Sequence, residues 1–349
     1  MTAKDPVREG REWLLSLQHH EDLSRSEAYR LAERLASGTF PEALAGALLV
    51  ALAAKGESPE EIFAFATFLR RHARAFLPGE VDGAVDLCGT GGAAHPTFNV
   101  STVSAFVVAA GGLPVVKHGN SSARGPCGSS DLLEALGLPV KVSPGYAEAS
   151  FRRERLAFLH APLYHPATAS IAGIRRALGT RTVFNLLGPL SNPAPVRIQL
   201  LGCFDRAYAR TASGLLPRLG VPRSLTFTGE EGTDEFVPGG RTFGFVRQGE
   251  RSARCRFEGR RYLTPRERRG SIGPLPPTGA AREAERLLAG GPGARRGSVL
   301  LTAGAAFWVS GQDRTMNEGI ERARRLLDEG KALEKLRALQ ELAEGRTWS

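Results

Sequence analysis

The sequence predicts an α/β protein with a small all-helical N-terminal domain and a larger α/β domain built on a central, mostly parallel sheet. Three observations lead there. Residues 1–77 carry helix starts and helical apolar spacing with no strand signal. From Val85 onward, short apolar runs alternate with helical segments, the pattern of an α/β sheet. The chain has 349 residues, 42% hydrophobic and 23% charged, enough to bury a large core in one domain or in two unequal ones.

The N-terminal elements follow from capping chemistry. Leu23-Ser24-Arg25-Ser26-Glu27 offers a helix start, and apolar residues recur at helical spacing to Ser37. Phe40–Lys55 is rich in Ala and Leu and stops at Gly56. Ser58-Pro59-Glu60-Glu61 is a clean N-terminus: a serine N-cap, proline in the first turn, and acids facing the positive helix end. That helix runs to about Phe76, and Pro78-Gly79 closes the segment. The helical domain is therefore set at 1–77, joined by part of 163–182, with 78–349 forming the α/β domain.

In the α/β domain, Val85-Asp86-Leu87-Cys88 predicts a strand that runs straight into a Gly-rich turn. Ser101–Ala110 is an apolar helix, Leu113–Lys117 a buried strand, and Asp131–Leu136 helical. Further strands are expected at Phe158–His160, Gln199–Cys203, Ser224–Thr228 and Thr242–Val246. Tyr164–Leu178 has a helical pattern. Arg247–Gly293, rich in Arg, Gly and Pro, is expected to hold long loops around a small helix at Ala280–Ala289. Gly297–Gly311 and Asn317–Glu344 read as two closing helices.

Composition narrows the function classes. The four cysteines, Cys88, Cys127, Cys203 and Cys255, form no C-x-x-C pair, which argues against a structural zinc site and a secreted disulfide framework. A reducing cytoplasm is the simplest setting. Met1–Glu12 mixes charges without an apolar h-region, so no signal peptide is read, and no apolar run reaches membrane-spanning length. The formal charge of +10 comes with an excess of Arg over Lys. A positive field of this kind attracts a phosphorylated substrate or nucleic acid, or reflects no more than an Arg-rich solvated surface.

Five segments carry chemistry. Gly89-Thr90-Gly91-Gly92 follows a strand, where glycines let the backbone approach a phosphate; a plain tight turn is the alternative. The spacing is neither a Rossmann fingerprint nor a Walker loop. Thr97-Phe98-Asn99-Val100-Ser101-Thr102 places small polar side chains where a helix begins, suited to capping it, donating to phosphate, or ligating a hard cation. Lys117-His118-Gly119-Asn120 follows a buried strand, at the end where ligands gather in open α/β sheets. Arg175-Arg176, with Arg181–Ala194 close behind, offers a guanidinium for bidentate grip on a carboxylate, or for a helix salt bridge. Asp234-Glu235, beyond a strand, form either a solvated acidic turn or a carboxylate pair able to hold Mg²⁺ against a diphosphate.

In this order and spacing, the segments resemble the anthranilate phosphoribosyltransferase family along nearly the whole chain. KHGN at 117–120 and FNLLGPLSNPA at 184–194 are its most specific signatures here, supported by the GTGG turn, Gly128-Ser129-Ser130-Asp131, His165-Pro166-Ala167 and Glu318-Gly319-Ile320. The resemblance implies the fold shared by nucleoside phosphorylases and this class of phosphoribosyltransferase. It also implies a glycosyltransferase that moves the phosphoribosyl group of phosphoribosyl diphosphate (PRPP) to anthranilate in tryptophan biosynthesis. By the same resemblance, PRPP lies against Gly89, Gly92, Thr97, Asn99, Ser101, Thr102, Lys117 and Ser129. Mg²⁺ is held near Ser101, Asp234 and Glu235. Anthranilate meets Gly89, Asn120 and Arg175, with Ala161-Pro162 and His165 lining its path. The family is usually a homodimer meeting through its helical domains.

The ligand loops depart from the family pattern. Gly92 is followed by Ala93-Ala94 where the family continues with Asp-Gly. After KHGN, Ser121 replaces an Arg, and Arg124-Gly125 stand where a Ser-Ser pair is usual. Thr168-Ala169-Ser170 replaces bulkier residues. The alternatives these departures leave are a related phosphoribosyltransferase with another acceptor, a pyrimidine-nucleoside phosphorylase, and a non-catalytic relative that binds nucleic acid or other polyanions. The arginines of Arg251–Arg269 would serve the last of these.

Overall fold

The computed structural model describes residues 5–91, 96–122, 125–345 and 348. Its described residues fall into two compact units, one made of Met1–Ala75 with Tyr164–Pro193, the other of Phe76–Leu163 with Ala194–Ser349.

The first unit is all helical. Its long helices are Pro6–Gln18, Arg25–Ala36, Glu42–Lys55, Pro59–Arg71 and Ala169–Leu178. Ser24 and Ser58 both act as N-caps in reciprocal capping boxes, with Glu27 and Glu61 three residues on. Glu61 does more than cap. It is buried, and besides the Ser58 N–H it accepts the Leu23 N–H at 2.8 Å and the Lys55 ammonium at 2.9 Å. Pro166 interrupts the expected helix at 164–178: a single 3₁₀ turn, Pro166–Thr168, precedes Ala169–Leu178. Ser170 then donates to the carbonyls of Leu35 and Ala36 at the end of the second helix.

The second unit holds a seven-stranded sheet: β1 Val85–Gly89, β2 Val115–Gly119, β3 Leu156–His160, β4 Ile198–Gly202, β5 Arg223–Gly229, β6 Arg241–Gln248 and β7 Arg251–Glu258. The spatial order is β3-β2-β1-β4-β5-β6-β7. β1 to β5 are parallel, and β6 and β7 form an antiparallel hairpin at one edge. From β1 the chain runs outward through β2 and β3 on one side, then through β4 and β5 on the other. The strand order therefore switches between β1 and β4, and the crevice beyond their carboxyl ends is the ligand position such a sheet provides.

The core of this unit packs helix on sheet. The helix Val100–Ala110 is apolar all round and buried over Val100 and Thr102–Ala109, as expected of a helix covered on every side. Ala294–Ser310 packs against it and supplies Val299, Leu300, Leu301 and Phe307 to the same core.

Three sequence expectations are corrected. Residues 247–293 are not chiefly loop: they contain β7, and the helix there spans Pro277–Leu288. In β7 the arginines obscure a period of two, with Cys255 and Phe257 turned inward between exposed Arg254 and Arg256. An edge strand tolerates such charge, and the charge blocks further strand pairing. The C-terminal stretch is two helices, Met316–Asp328 and Lys331–Glu344, split at Gly330, whose φ of 71° lies in the left-handed region. Two further helices, Pro144–Glu154 and Arg206–Arg218, add to those expected from the sequence, each opened by a side-chain cap, Ser143 and Asp205.

Candidate active site

The site grows from the ends of β1 and β4. β1 ends at Gly89 and pairs there with Gly202 of β4. The Thr90 N–H donates to the Gly202 carbonyl at 3.0 Å, which carries the chain into the glycine turn. Against this corner sits Asp234. Its carboxylate accepts the Gly91 N–H at 3.0 Å. A Cβ at Gly202 would lie 1.8 Å from the Asp234 carbonyl oxygen, and one at Gly89 2.8 Å from its carboxylate. Both strands must therefore end in glycine for the acid to approach.

Glu235 is buried and accepts the Ser101 N–H at 3.3 Å, at the start of the helix Val100–Ala110. Burial pushes both carboxyls up, and Asp234 adds to the effect on Glu235, which reaches about 8; the nearby Lys117 ammonium and the Gly91 and Ser101 N–H groups offset part of this. Two carboxyls that resist ionising side by side, Glu235 buried and Asp234 half-buried, form a donor set that a hard divalent cation would stabilise. Among the described residues no group of three or more His, Cys, Asp and Glu side chains could hold a metal. A Mg²⁺ at Asp234 and Glu235 would thus complete its oxygen shell from phosphate and water, as Mg²⁺ habitually does. The residues fit the ion on those terms.

Lys117 ends almost buried, its ammonium donating to the Leu87 carbonyl at 2.6 Å, so its charge lies beneath the end of β1. The Asn99 side chain does not cap the helix it precedes; it donates to the Cys127 carbonyl at 3.1 Å, tying the two ligand loops together. Thr97 is half-buried and Ser101 partly exposed in the first helical turn. Thr102 points inward, 1% exposed. Gly92, Ala93 and Arg124 lie outside the described residues.

Beyond β2, Asn120 is held by its neighbours. Its side-chain oxygen accepts the Ser121 N–H at 2.8 Å and its carbonyl accepts the Ser129 hydroxyl at 3.2 Å. Gly125 donates its N–H to Ser122 Oγ at 2.7 Å. Asp131 organises this loop. It accepts the N–H groups of Ser122 and Gly128, each at 2.9 Å, and the Lys141 ammonium at 2.9 Å. Burial works against its charge, but those donors prevail and hold its carboxyl well below the usual range. Asp131 is not among the site residues that the sequence singles out. The available signal was an acid three residues after Gly128, at a helix start.

In the first unit, Arg175 sits in the last turn of Ala169–Leu178, partly buried, with no acidic partner among the described residues. Burial is the one influence on its pKa, and it acts downward. His165, also in this unit, is buried, which lowers its pKa to about 4; the backbone at Ser191 and Leu69 offsets part of that.

The basic run after β6 is partly satisfied internally: Arg256, Arg260 and Arg261 all pair with Glu258. No described helix is long and apolar enough to cross a membrane.

Comparison with known proteins bears on the whole chain. Residues 81–333 match the glycosyl transferase family, a/b domain, and residues 11–73 the helical bundle domain of the same family. An anthranilate phosphoribosyltransferase from Desulfitobacterium hafniense is 39% identical over 342 residues, covering 94% of this chain and 98% of that protein. One from Lacticaseibacillus casei is 37% identical over 328 residues, 94% and 96% of the two chains. Among solved structures, the anthranilate phosphoribosyltransferase of Thermus thermophilus superposes with a TM-score of 0.85 at 35% identity, covering 95% of this chain and 99% of that one. The Saccharomyces cerevisiae enzyme, solved in complex with PRPP and Mg, gives 0.85 at 25% identity, over 97% and 99%. On its sequence, its fold and the acidic corner between its central strands, the chain belongs to the anthranilate phosphoribosyltransferase family.

Proposed function

We propose that this chain transfers the phosphoribosyl group of PRPP to the amine of anthranilate, giving phosphoribosylanthranilate and diphosphate, a step of tryptophan biosynthesis. The observation that carries the reading is the corner where Asp234 meets the Gly91 N–H and Glu235 meets the Ser101 N–H, at the carboxyl end of the central strands. It sets carboxylates suited to a divalent cation against the glycine turn and the start of the helix, the place where a diphosphate would lie.

Each residue has a task in this scheme. Gly89, Gly92, Thr97, Asn99, Ser101, Thr102, Lys117 and Ser129 form the PRPP site. The helix beginning at Val100 turns the positive end of its dipole toward the anion. Ser101, Asp234 and Glu235 hold Mg²⁺, which when bound neutralises charge building on the departing diphosphate. Lys117, buried under β1, places positive charge beside the two acids. Gly89 and Asn120 meet anthranilate, and Arg175 pairs with its carboxylate. The aromatic amine is already largely neutral at pH 7, so the bond to C1 of the ribose forms without a strong base. The protein works as a homodimer joined through its helical domains, in the cytoplasm.

The direct test is the loss of anthranilate fluorescence on adding PRPP and Mg²⁺ to the purified protein. A rapid loss that requires Mg²⁺ establishes the reaction. No loss at saturating PRPP refutes it, and PRPP calorimetry would then separate a transferase with another acceptor from a polyanion binder.

A further inference from the structure

We propose that Phe184 is a positioning residue for the acceptor, its ring the platform that holds the Arg175 guanidinium ready for a carboxylate. The proposal rests on the reading of Arg175 as the residue that pairs with anthranilate. The guanidinium carbon lies 5.2 Å from the centre of the Phe184 ring. That ring is itself fixed: it is 9% exposed and meets Phe65, fully buried, edge-to-face at 5.9 Å and 87°. The backbone beneath it is braced by the Thr182 N–H, which donates to Asn185 Oδ1 at 3.1 Å, and by the Asn185 N–H, which donates back to the Thr182 carbonyl at 2.9 Å.

Arg175 makes no ion pair among the described residues, so the ring is the contact that restrains its head group. Arg176, one residue on, is exposed and has no such platform among the described residues. An arginine on an aromatic ring keeps its forked N–H donors for another partner, and the ring shields it from water. Restraining the side chain beforehand removes part of the ordering cost that a flexible arginine would meet on binding a carboxylate. The consequence is specific. Loss of the ring weakens the carboxylate-bearing acceptor and leaves PRPP alone.

The experiment compares F184L, F184M, F184Y, R175A and R176A, measuring KM for anthranilate and for PRPP separately, with thermal melts to confirm folding. F184L and F184M are expected to raise the anthranilate KM about tenfold while the PRPP KM stays put. F184Y, which keeps a ring, restores the wild-type value, and R176A behaves as wild type. F184M retains side-chain volume, so it decides the matter if F184L melts too low. If R175A raises the anthranilate KM and neither F184L nor F184M does, the platform is refuted while the role of Arg175 stands. If the Phe184 variants raise both KM values together, Phe184 is structural only and the proposal fails. If R175A itself leaves the anthranilate KM unchanged, the assignment of Arg175 falls, and the platform with it.

Discussion

The Asp234 carboxylate accepts the backbone N–H of Gly91 at 3.0 Å, joining groups 143 residues apart in sequence. This bond couples the acidic corner to the glycine turn, so the two should fail together. Asp234→Asn is expected to raise the Mg²⁺ concentration for half-maximal rate about tenfold, a loss of one charge-assisted contact. Initial rates across a Mg²⁺ series check this, and an unchanged profile removes Asp234 from the ligand set.

Gly202→Ala tests the same corner without touching a charge. The added Cβ would meet the Asp234 carbonyl at 1.8 Å, a backbone contact that cannot swing aside. The expected cost is about 1–3 kcal/mol of stability, together with a higher Mg²⁺ requirement. Thermal melts and the Mg²⁺ series should move together. A normal melt with a normal Mg²⁺ profile would mean the two chain segments are not packed this way.

Asp131 gathers two N–H groups and the Lys141 ammonium. Asp131→Asn keeps the shape and removes the charge, so it should cost about 1–3 kcal/mol and raise the PRPP KM, because Ser129 shares the turn. The depressed carboxyl pKa also gives a sign for acid. Its stabilisation is in place above the unfolded value of 3.8 and is lost as pH falls below it. The variant should therefore lose less stability than wild type on acidification below that point.

His165 governs a different pH window. Its pKa falls from 6.5 to about 4 through burial. Above 6.5 the ring is neutral in both folded and unfolded chains. Between 6.5 and 4 the unfolded chain takes up a proton that the folded one refuses, so stability drops as pH falls, by ~3 kcal/mol at most. His165→Gln should flatten this limb of a stability-versus-pH curve. A parallel curve for the variant would show that another group is responsible.

Lys55 and Glu61 are 3% and 0% exposed, and their charges meet at 2.9 Å. Lys55→Met would strand a buried carboxylate that also anchors Leu23 and Ser58. A loss of about 3–5 kcal/mol is expected, read by chemical denaturation. A near-neutral result would mean that the Leu23 and Ser58 N–H groups satisfy Glu61 without the ammonium.

Much of this protein is written locally. Ser58-Pro59-Glu60-Glu61 specifies a helix start because every interaction in it spans a single turn, and the strand-then-glycine pattern at 85–91 is equally short-range. The same holds for the strands of the central sheet, whose apolar runs stand out against polar connections. β7 was hidden because only one face of an edge strand is buried, and arginines fill the other. The break at Gly330 was hidden because the apolar spacing on either side of it looks continuous.

The sequence by itself determined the two-part architecture, the family and the residue types available for phosphate, cation and carboxylate. Only the tertiary structure decided which of them meet: Asp234 with Gly91, Glu235 with Ser101, Lys117 with the Leu87 carbonyl, Arg175 with Phe184. The reason is the range of the forces involved. Capping and periodicity act over one turn, whereas the partner of a buried charge depends on strand order and on how closely two glycine-ended strands let a distant loop approach.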